Sequence, residues 1–274
     1  MTGLSPKTPV IYQFLNASPN SRFTQKRKTL TMQNSKIGWT HHTWNPWMGC
    51  QKVSPACQHC YISRWLKLRG HAPFNGPIRT KEGTWRNPFT WNRKALKSGT
   101  PSRVFTCSLS DFFHADADTW RPEAWEIIKE CEHLNWLILT KRPELIHDRL
   151  PADWDKGYPN VWLGVTVENQ DYVQRIDLLT KIPAAVRFVS AEPLLGPVKF
   201  GRRLRKIDWV ITGCEKAAKS KRREMQMDWV RSIRDQCDAA GTALYHKQYY
   251  FGTQIVLDGA IDGKVRQEWP RTAA

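Results

Sequence analysis

Three cysteines lie close together with the spacing Cys50-x6-Cys57-x2-Cys60. Three thiolates on one loop can each bind one iron of a four-iron, four-sulfur cluster, which leaves the fourth iron open to a small ligand. A zinc ion would need a fourth protein ligand, for which Cys107 is a candidate, whereas His59 is too close to Cys60 in the chain to bind the same ion well. An iron–sulfur cluster, a zinc site and unliganded cysteines are therefore the three interpretations.

The composition indicates a reducing compartment and an acidic partner. The chain holds seven cysteines, an odd number that argues against a disulfide framework. The absence of an apolar run of about 18 residues predicts no membrane span, and the absence of an early apolar run predicts a cytoplasmic protein. Lys and Arg number 42 against 25 Asp and Glu, and this net charge of +17 favours polyanions, above all nucleic acid, over a protein that is merely soluble and basic.

Much of this charge is gathered in two clusters around a short apolar run at 209–212. The first cluster is Arg202, Arg203, Arg205 and Lys206, and the second is Lys216, Lys219, Lys221, Arg222 and Arg223. We expect the clusters to bracket one strand end, where they meet the phosphates beside an extruded or single-stranded base. Trp85 and Trp91 are candidates for stacking on bases, although packing in the core is the more common role of tryptophan.

The elements that must position these residues alternate between short apolar runs and segments with helical spacing. The runs predicted to be strands are 44–48, 103–107, 136–140, 161–165, 186–190, 209–212 and 243–246. The segments predicted to be helices are 57–68, 122–133, 143–150, 170–179 and 228–240, the last followed by Gly241 as its cap. Strands that alternate with helices pair in parallel through right-handed crossovers.

This alternation predicts an α/β fold, an open or partial (β/α) barrel. A two-domain dinucleotide binder is less consistent with the chain, because no GxGxxG motif follows a strand. We assign residues 36–252 to the barrel, residues 1–35 to a flexible, disordered basic arm and residues 253–274 to a C-terminal tail. Within the barrel, residues 70–101 are predicted to be a long inserted loop anchored by tryptophans.

In such barrels the chemistry lies at the carboxyl ends of the strands. Polar residues follow the predicted strands at this position and are expected to point into one mouth. They are Ser108, Ser110, Asp111 and His114; Thr140, Lys141 and Arg142; Thr166, Glu168 and Asn169; Ser190 and Glu192; Thr212 and Glu215; and His246, Lys247 and Gln248. Their register predicts a site at this edge, although a single polar residue here also begins a loop or caps a helix.

The residues around the cysteines are more specific than the spacing alone. The stretch Ile37-Gly38-Trp39-Thr40-x-x-Thr43-Trp44-Asn45-Pro46-x-x-Gly49-Cys50-x-x-x-Ser54-Pro55-x-Cys57-x-x-Cys60-Tyr61 is followed by SDxFH at 110–114, LTKRPE at 139–144, NVWLGVxVEN at 160–169 and RFVSxEPLLGP at 187–197. In this order the motifs resemble the phage-associated three-cysteine-motif family of phage proteins of unknown function, which looks like a divergent branch of the radical S-adenosylmethionine superfamily. The resemblance covers residues 37 to about 250.

The resemblance implies a radical-SAM-like barrel in which Cys50, Cys57 and Cys60 bind a 4Fe-4S cluster. The open iron of that cluster would chelate the amino and carboxylate groups of S-adenosyl-L-methionine. One electron would then cleave this cofactor, and the resulting 5′-deoxyadenosyl radical would take a hydrogen atom from the substrate. His59 matches the position that packs near the adenine in such enzymes.

The resemblance also implies residues that hold the cofactor. Candidates for the methionine amine and the ribose hydroxyls are Ser108, Asp111, Ser190 and Glu192. Lys141 and Arg142 are candidates for the cofactor carboxylate or a substrate phosphate, or else a solvated pair. The chain departs from the family at Gly38, where an acidic residue is common, and at the turn 213–217, where a Gly-Gly-Glu-Ser-Gly-like sequence is usual.

A radical enzyme that acts on DNA in a phage is expected to take part in base hypermodification. One form is the rearrangement, or isomerisation, of an amino-acid-decorated thymine, whose unactivated carbon–hydrogen bonds call for a radical. Such a product would protect phage DNA against host restriction. The enzyme would work in the host cytoplasm, where a reductant protein of the host would supply its electron. A further partner protein is also a candidate for binding the enzyme. The alternatives are a non-catalytic nucleic-acid-binding protein with zinc or a cluster, and a radical enzyme that repairs DNA lesions, similar to photoproduct lyases.

Overall fold

The computed structural model describes residues 35–271, so the arm predicted over residues 1–35 lies, apart from Ser35, outside the described residues. The strands in chain order are β1 (His42–Trp44), β2 (Trp47–Met48), β3 (Ile78–Arg79), β4 (Ser102–Thr106), β5 (Leu134–Thr140), β6 (Val161–Thr166), β7 (Val186–Ala191), β8 (Trp209–Gly213), β9 (Ala243–Phe251), β10 (Gln254–Val256), β11 (Ala260–Ile261) and β12 (Lys264–Val265). The α-helices are α1 (Ile62–Lys67), α2 (Glu82–Ser98), α3 (Arg121–Glu130), α4 (Arg175–Leu179) and α5 (Met227–Ala240).

Eight of these strands form one sheet in the order β1-β4-β5-β6-β7-β8-β9-β10. The first seven pair in parallel, and β10 pairs antiparallel with β9. Each parallel strand is added on the same side of the one before it, so right-handed crossovers place their helices on one face. In the part of the chain that the structure describes, β1 and β10 stand at opposite ends of this order, and the predicted open barrel is confirmed.

The two faces of the sheet carry separate apolar clusters. One cluster joins the strands to the helices and includes Trp91 of α2, Ile128 of α3, Ile176 of α4 and Ile233 of α5. The other cluster lies on the inner face and, among residues 35–271, contains no helix residue. Its buried members are Trp39, Phe105, Leu137, Trp162, Val186, Phe188, Trp209, Ile211 and Tyr245. Aromatic rings thus fill the amino half of the barrel interior.

Residues 70–101 are not the long loop that the sequence predicts, because 17 of them form α2. Trp85 and Trp91 face the core at 1 % and 8 % exposure, and Trp91 stacks on His42 with ring centroids 4.4 Å apart. The predicted stacking of these two tryptophans on bases is therefore wrong, since packing against β1 and the neighbouring core takes up their rings.

Pro88 explains why the sequence hides this helix. A proline inside a helix removes one hydrogen bond to the carbonyl four residues earlier and costs about 3 kcal/mol. Here that carbonyl belongs to Thr84, and it accepts a hydrogen bond of 3.0 Å from the Trp44 indole Nε1 instead. A contact from a distant part of the chain therefore satisfies the group that Pro88 leaves unpaired.

Several other elements are shorter than predicted. The segment 143–150 forms two 3-10 turns, Pro143–Leu145 and His147–Arg149, and 170–179 divides into a 3-10 turn and a short α-helix. The segment 57–68 holds α1, which follows the turn Pro55–Cys57. The run 44–48 divides into β1 and β2. Helices this short gain little from their own hydrogen bonds, so tertiary contacts decide how each turn closes. The predictions for α3 and α5 are confirmed, including Gly241 as a left-handed cap with φ of 69°.

The segment assigned to a C-terminal tail packs on the barrel as far as residue 271. Its first strand, β10, extends the sheet, and Arg266 pairs with Asp238 of α5. Trp269 packs on Trp209 with ring centroids 5.1 Å apart. Between residues 35 and 271, none of the helices combines the length and the apolar character that crossing a membrane requires.

Candidate functional site at the carboxyl edge of the sheet

The cysteine loop follows β1 and β2 and is fixed by glycine at its start. Gly49 has a φ of 104°, and a Cβ at this position would lie 2.2 Å from the Gly76 carbonyl oxygen, so only glycine fits. The Gly49 N–H donates to the Leu109 carbonyl at 2.9 Å, and the Gly76 N–H donates to the Cys50 carbonyl at 3.4 Å. The backbone of Cys50 is thereby held between the loop after β4 and the loop before β3.

Arg142, which is 6 % exposed, joins the first cysteine to the sheet. Its Nη1 lies 3.7 Å from Cys50 Sγ and 3.1 Å from Asp111 Oδ2, and its Nη2 donates to the Gln51 carbonyl at 2.9 Å. Burial raises the pKa of the Cys50 thiol to about 11, and Asp111 adds to this, whereas Arg142 opposes it. Because the Arg142 guanidinium already has these partners, Lys141 is a better candidate than Arg142 for binding a cofactor carboxylate or a phosphate.

Asp111 holds Arg142 in place. Its carboxylate also accepts hydrogen bonds from Thr140 Oγ1 at 2.7 Å, from the Lys141 N–H at 3.0 Å and from the Phe113 N–H at 3.0 Å. With Arg142 these donors occupy about four lone-pair sites, which is the usual capacity of a carboxylate. Asp111 therefore orients the end of β5, and its role as a cofactor ligand stays a prediction.

Cys57 and Cys60 lie farther along the same loop. Cys57 ends the 3-10 turn Pro55–Cys57 and is buried, with its Sγ 3.9 Å from Ser54 Oγ. Cys60 is half-buried, and burial raises its pKa, Cys57 raises it further, and Lys141 and Lys52 lower it. The three thiols thus lie on one loop with cationic side chains beside two of them.

The thiols do not converge on a single point. Within residues 35–271, no three His, Cys, Asp or Glu side chains are placed to hold one metal ion. Cys107, the candidate fourth zinc ligand, lies in the apolar core on the helix side. In a cubane cluster each thiolate binds a different iron, so convergence on one point is not needed.

Arg223 connects the cysteine loop with the end of β8 on the far side of the mouth. Its guanidinium pairs with Glu215 and donates to the Pro55 carbonyl at 3.0 Å, and its backbone N–H donates to Glu215 Oε2 at 3.0 Å. Burial acts to raise the pKa of Glu215, but the bonds from Arg223 outweigh it and hold that pKa below its usual range. These protein partners engage the guanidinium that the sequence assigns to phosphate contact.

Two buried hydroxyls face the mouth above the aromatic cluster. Thr166 on β6 and Ser190 on β7 are register partners, and strand alternation places them on the same face as Trp162 and Phe188. They are 0 % and 1 % exposed, and neither hydroxyl has a hydrogen-bond partner within residues 35–271. A buried hydroxyl without a partner costs free energy, so this pair is suited to a polar ligand.

Glu192 lies two residues beyond Ser190 and forms an ion pair of 2.8 Å with Lys247 of β9. Gly213 at the end of β8 makes room for it, because a Cβ there would lie 2.6 Å from Glu192 Oε1. The turn at which the chain departs from the family pattern thus begins with the residue that lets Glu192 approach β8. The role of Glu192 and Ser190 toward a cofactor stays a prediction.

The other predicted cofactor residues lie nearby. Ser108 Oγ is 3.2 Å from Asn45 Nδ2, and the Ser108 carbonyl accepts a bond from the Tyr61 hydroxyl directly after the last cysteine. His59 is half-buried and lies close enough to Glu215 to lower the pKa of the Glu215 carboxyl. Ser108 therefore ties the cysteine loop to the end of β4, and His59 lies between the cysteines and the end of β8.

Some polar residues at the strand ends do not point into the mouth, contrary to the prediction. Strand alternation places Thr140, Thr212 and His246 on the helix side, together with Ile138, Val210 and Leu244. Thr212 Oγ1 and His246 Nδ1 are 2.9 Å apart there, and burial lowers the pKa of His246 to about 4.

The two basic clusters lie at opposite edges of the sheet, so the prediction that they bracket one strand end is wrong. Residues 202–206 form the 3-10 helix Gly201–Lys206 before β8, at its amino end, whereas residues 216–223 follow its carboxyl end. Five residues of β8 separate them, which is roughly 16 Å at a rise of about 3.3 Å per residue. Only the second cluster borders the mouth.

Sequence reasoning left three residues at the mouth without a role. It placed Thr166 and Lys247 at strand ends like Ser190 but assigned neither of them to a ligand. Asn45, whose Oδ1 accepts from the Leu109 N–H at 2.8 Å, is part of the quoted motif but had no assigned role.

The residues present fit the two cofactors that the resemblance implies. Cys50, Cys57 and Cys60 supply three soft sulfur donors at the carboxyl edge, with Arg142 and Lys141 beside them. The buried hydroxyls of Thr166 and Ser190, which have no partner within residues 35–271, lie at the same edge and suit the ribose or the amino-acid part of a nucleoside ligand.

Comparisons with known proteins are sparse. The model of a family described as a protein of unknown function (DUF5131) matches residues 34–264. No curated protein matches the chain. Similar solved structures include a mutant of spore photoproduct lyase with bound AdoMet and dinucleoside spore photoproduct, at 12 % identity and a TM-score of 0.46 over 77 % of this chain and 64 % of that one. A second mutant of that lyase has 14 % identity and a TM-score of 0.43 over 84 % and 71 %.

The chain therefore spans less than two thirds of the length of the first of these lyase structures. Likeness at this level shows neither the activity nor the substrate of this chain. The phage association expected from the motifs stays a prediction.

Proposed function

The chain belongs to the DUF5131 family of proteins of unknown function, and from its own residues we propose that it is a radical S-adenosylmethionine enzyme that acts on nucleic acid. The observation that carries this proposal is the cysteine loop. Its three thiols lie at the carboxyl edge of an open barrel, and the wall of that barrel carries two buried hydroxyls that, within residues 35–271, have no partner.

Cys50, Cys57 and Cys60 would hold the cluster, and Thr166, Ser190 and Glu192 would hold S-adenosyl-L-methionine. When bound, these two groups together would supply one-electron radical chemistry, in which a hydrogen atom is taken from the substrate. Everything else that the reaction needs from the protein is position, charge and the exclusion of water.

The chain's own residues divide these tasks. Arg142 compensates negative charge at Cys50, and its bonds to Asp111 and Gln51 keep the guanidinium in one orientation. The hydroxyls of Thr166 and Ser190 can donate to and accept from ribose hydroxyls, and Glu192 can accept from an ammonium group. The aromatic cluster beneath them fills the interior and keeps water away from that side of the site.

Nucleic acid is the proposed substrate because of charge. The net charge of +17 attracts polyanions, and Lys216, Lys219, Lys221 and Arg222 border the mouth. The finer form of the proposal is the rearrangement of an amino-acid substituent on thymine in phage DNA, an isomerase reaction at unactivated carbon–hydrogen bonds that protects DNA from host restriction. Its electron would come from a reductant protein of a host cytoplasm in which the seven free thiols stay reduced.

The decisive experiment is anaerobic reconstitution with iron and sulfide, followed by reduction with dithionite and detection of 5′-deoxyadenosine. The wild type should hold about four irons per chain and form 5′-deoxyadenosine. Cys57→Ala should lose bound iron and this product, whereas Cys237→Ala, a matched change at a buried core thiol, should keep both.

Other results select the other functions. One zinc per chain without iron indicates the non-catalytic nucleic-acid-binding protein. Turnover on ultraviolet-damaged DNA with regeneration of the cofactor indicates lesion repair. Equal formation of 5′-deoxyadenosine with and without modified DNA contradicts the rearrangement of a thymine substituent.

A further inference from the structure

The hairpin that joins β9 to β10 projects beyond the mouth. Gly213, the last residue of β8, pairs with Gln248, and β9 continues for three more residues to Phe251. Phe251 is 78 % exposed, and Gly252 follows it in the turn. A large aromatic ring is therefore held in solvent at the edge where the candidate site opens.

The loop after β8 packs against this hairpin through Arg222. The Arg222 guanidinium lies 3.4 Å from the centroid of the Tyr250 ring and donates to the Gly252 carbonyl at 3.3 Å. The Lys221 N–H donates to the Ala218 carbonyl at 2.8 Å, which turns the loop back on itself. Lys219 and Lys221 are exposed. The hairpin thus holds the loop, and the cationic side chains on it, in one position.

We propose that one strand of nucleic acid docks on a strip formed by Lys219, Lys221, Arg222 and Phe251. This inference rests on the proposed function and specifies how the enzyme holds its substrate. Phosphates lie on the cations, and one base stacks on the Phe251 ring. Charge complementarity selects this occupant, because a chain of phosphates matches a row of cations and every base offers a face to a ring.

The Arg223 contacts make the strip continuous with the site. Arg223 follows Arg222 and pairs with Glu215, and its guanidinium reaches the Pro55 carbonyl in the cysteine loop. A strand seated on the strip therefore passes beside the mouth, where a neighbouring nucleotide can enter. The amino-edge cations at 202–206 lie on the other side of β8 and offer no such path.

The test measures binding of a fluorescent single-stranded DNA oligonucleotide and the matched duplex by anisotropy, at salt concentrations from about 50 to about 200 mM. Phe251→Ala should weaken single-strand binding about tenfold, because a stacked base is lost. Leu257→Ala, a truncation of an exposed side chain that lies outside the strip, should not. Lys219→Gln with Lys221→Gln should lower the slope of log affinity against log salt by about 1.4, or about 0.7 for each lost phosphate contact.

The matched control for charge is Arg202→Gln with Arg205→Gln, which removes two exposed cations from the amino edge. An equal loss of binding in this control, or unchanged binding in Phe251→Ala, overturns the strip. The assay needs no chemistry, so binding is measured independently of 5′-deoxyadenosine formation. Intact binding without 5′-deoxyadenosine in the wild type would contradict the radical function alone.

Discussion

At the carboxyl edge of the sheet, the side chains of Asp111 and Arg142 are each less than a tenth exposed, whereas at the amino edge the pair Arg203 and Asp177 is open to solvent. The buried pair sits beside Cys50 and accepts further bonds from the backbone. The exposed pair joins a 3-10 helix to α4 and touches no other candidate residue. Burying charge is costly, so the buried pair beside Cys50 marks the carboxyl edge as a place where charge positions other groups.

The inner face shows the same contrast. Its amino half is filled by rings, among them Trp39, Trp162 and Trp209, the last donating to the Glu268 carbonyl at 2.9 Å. Its carboxyl half carries the hydroxyls of Thr166 and Ser190, both without a partner among the described residues. The amino half is therefore mainly packed rings, whereas the carboxyl half carries hydroxyls that suit a polar ligand.

The sharpest way to break the comparison is to remove one charge at each edge. Asp111→Asn should lower the free energy of unfolding by about 3–5 kcal/mol, because it leaves Arg142 buried without a counter-charge. Asp177→Asn should lower it by less than about 1 kcal/mol, since its pair with Arg203 is solvated. Urea unfolding of both variants measures the difference, and equal losses would show that the edges do not differ.

Arg223→Gln tests whether the carboxyl edge also holds the cysteine loop. The variant frees the Pro55 carbonyl and Glu215 from their shared partner, so the reconstituted protein should lose iron about tenfold faster to a chelator, as for other residues that orient ligands. Arg231→Gln is the matched change on α5, where the arginine pairs with Asp228 and Asp262 away from the loop. Its rate of iron loss should equal that of the wild type, and a wild-type rate in Arg223→Gln would refute the connection.

Ser190→Ala sharpens the contrast between the two halves of the inner face, because stability and binding should change in opposite directions. Removing a buried hydroxyl without a partner should leave the free energy of unfolding unchanged or raise it by about 1 kcal/mol. The same change should weaken binding of S-adenosyl-L-methionine, measured by equilibrium dialysis on the reconstituted protein, about tenfold. Thr140→Val is the comparison, since its hydroxyl bonds to Asp111 and its loss should destabilise the fold. A destabilised Ser190→Ala would assign that hydroxyl to packing.

The sequence predicts the sheet well because burial on both faces leaves nearly continuous apolar runs, as in Val161–Thr166 and Val186–Ala191. It misses α2, because Pro88 is tolerated only through a bond from Trp44 that no local pattern shows. The predicted topology is enough to place residues 202–206 at the amino edge of the sheet, since residues directly before a parallel strand lie at that edge.

In the candidate site, too, some features follow from the sequence and others only from the folded chain. Cysteine spacing and strand-end position predict the edge of the sheet at which these residues lie, because both follow from chain order, but they do not predict that Thr140, Thr212 and His246 face the helices. The contacts of Arg223 with Glu215 and Pro55 depend on the path of a loop, and a basic residue in a basic cluster carries no local signal for them. Side-chain partners of this kind come only from the folded chain.

The smallest expected effect concerns pH and compares two carboxylates of the loop after β8. Glu215 has a pKa held below its usual range, so its bonds with Arg223 contribute stability above the unfolded pKa, near 4.5, and lose it as the pH falls through the lower folded value. Glu215→Gln should therefore be less stable than the wild type at pH 7, and the gap should narrow steadily below about pH 4.5. Glu224→Gln, at an exposed position in the same loop, should match the wild type throughout. Arg223 holds Glu215 through the charged carboxylate, so the difference in urea midpoint between Glu215→Gln and the wild type should depend on pH. A difference that stays constant from pH 7 to below pH 4 would mean that the shape of the Glu215 side chain, and not its charge, closes the cysteine loop against β8.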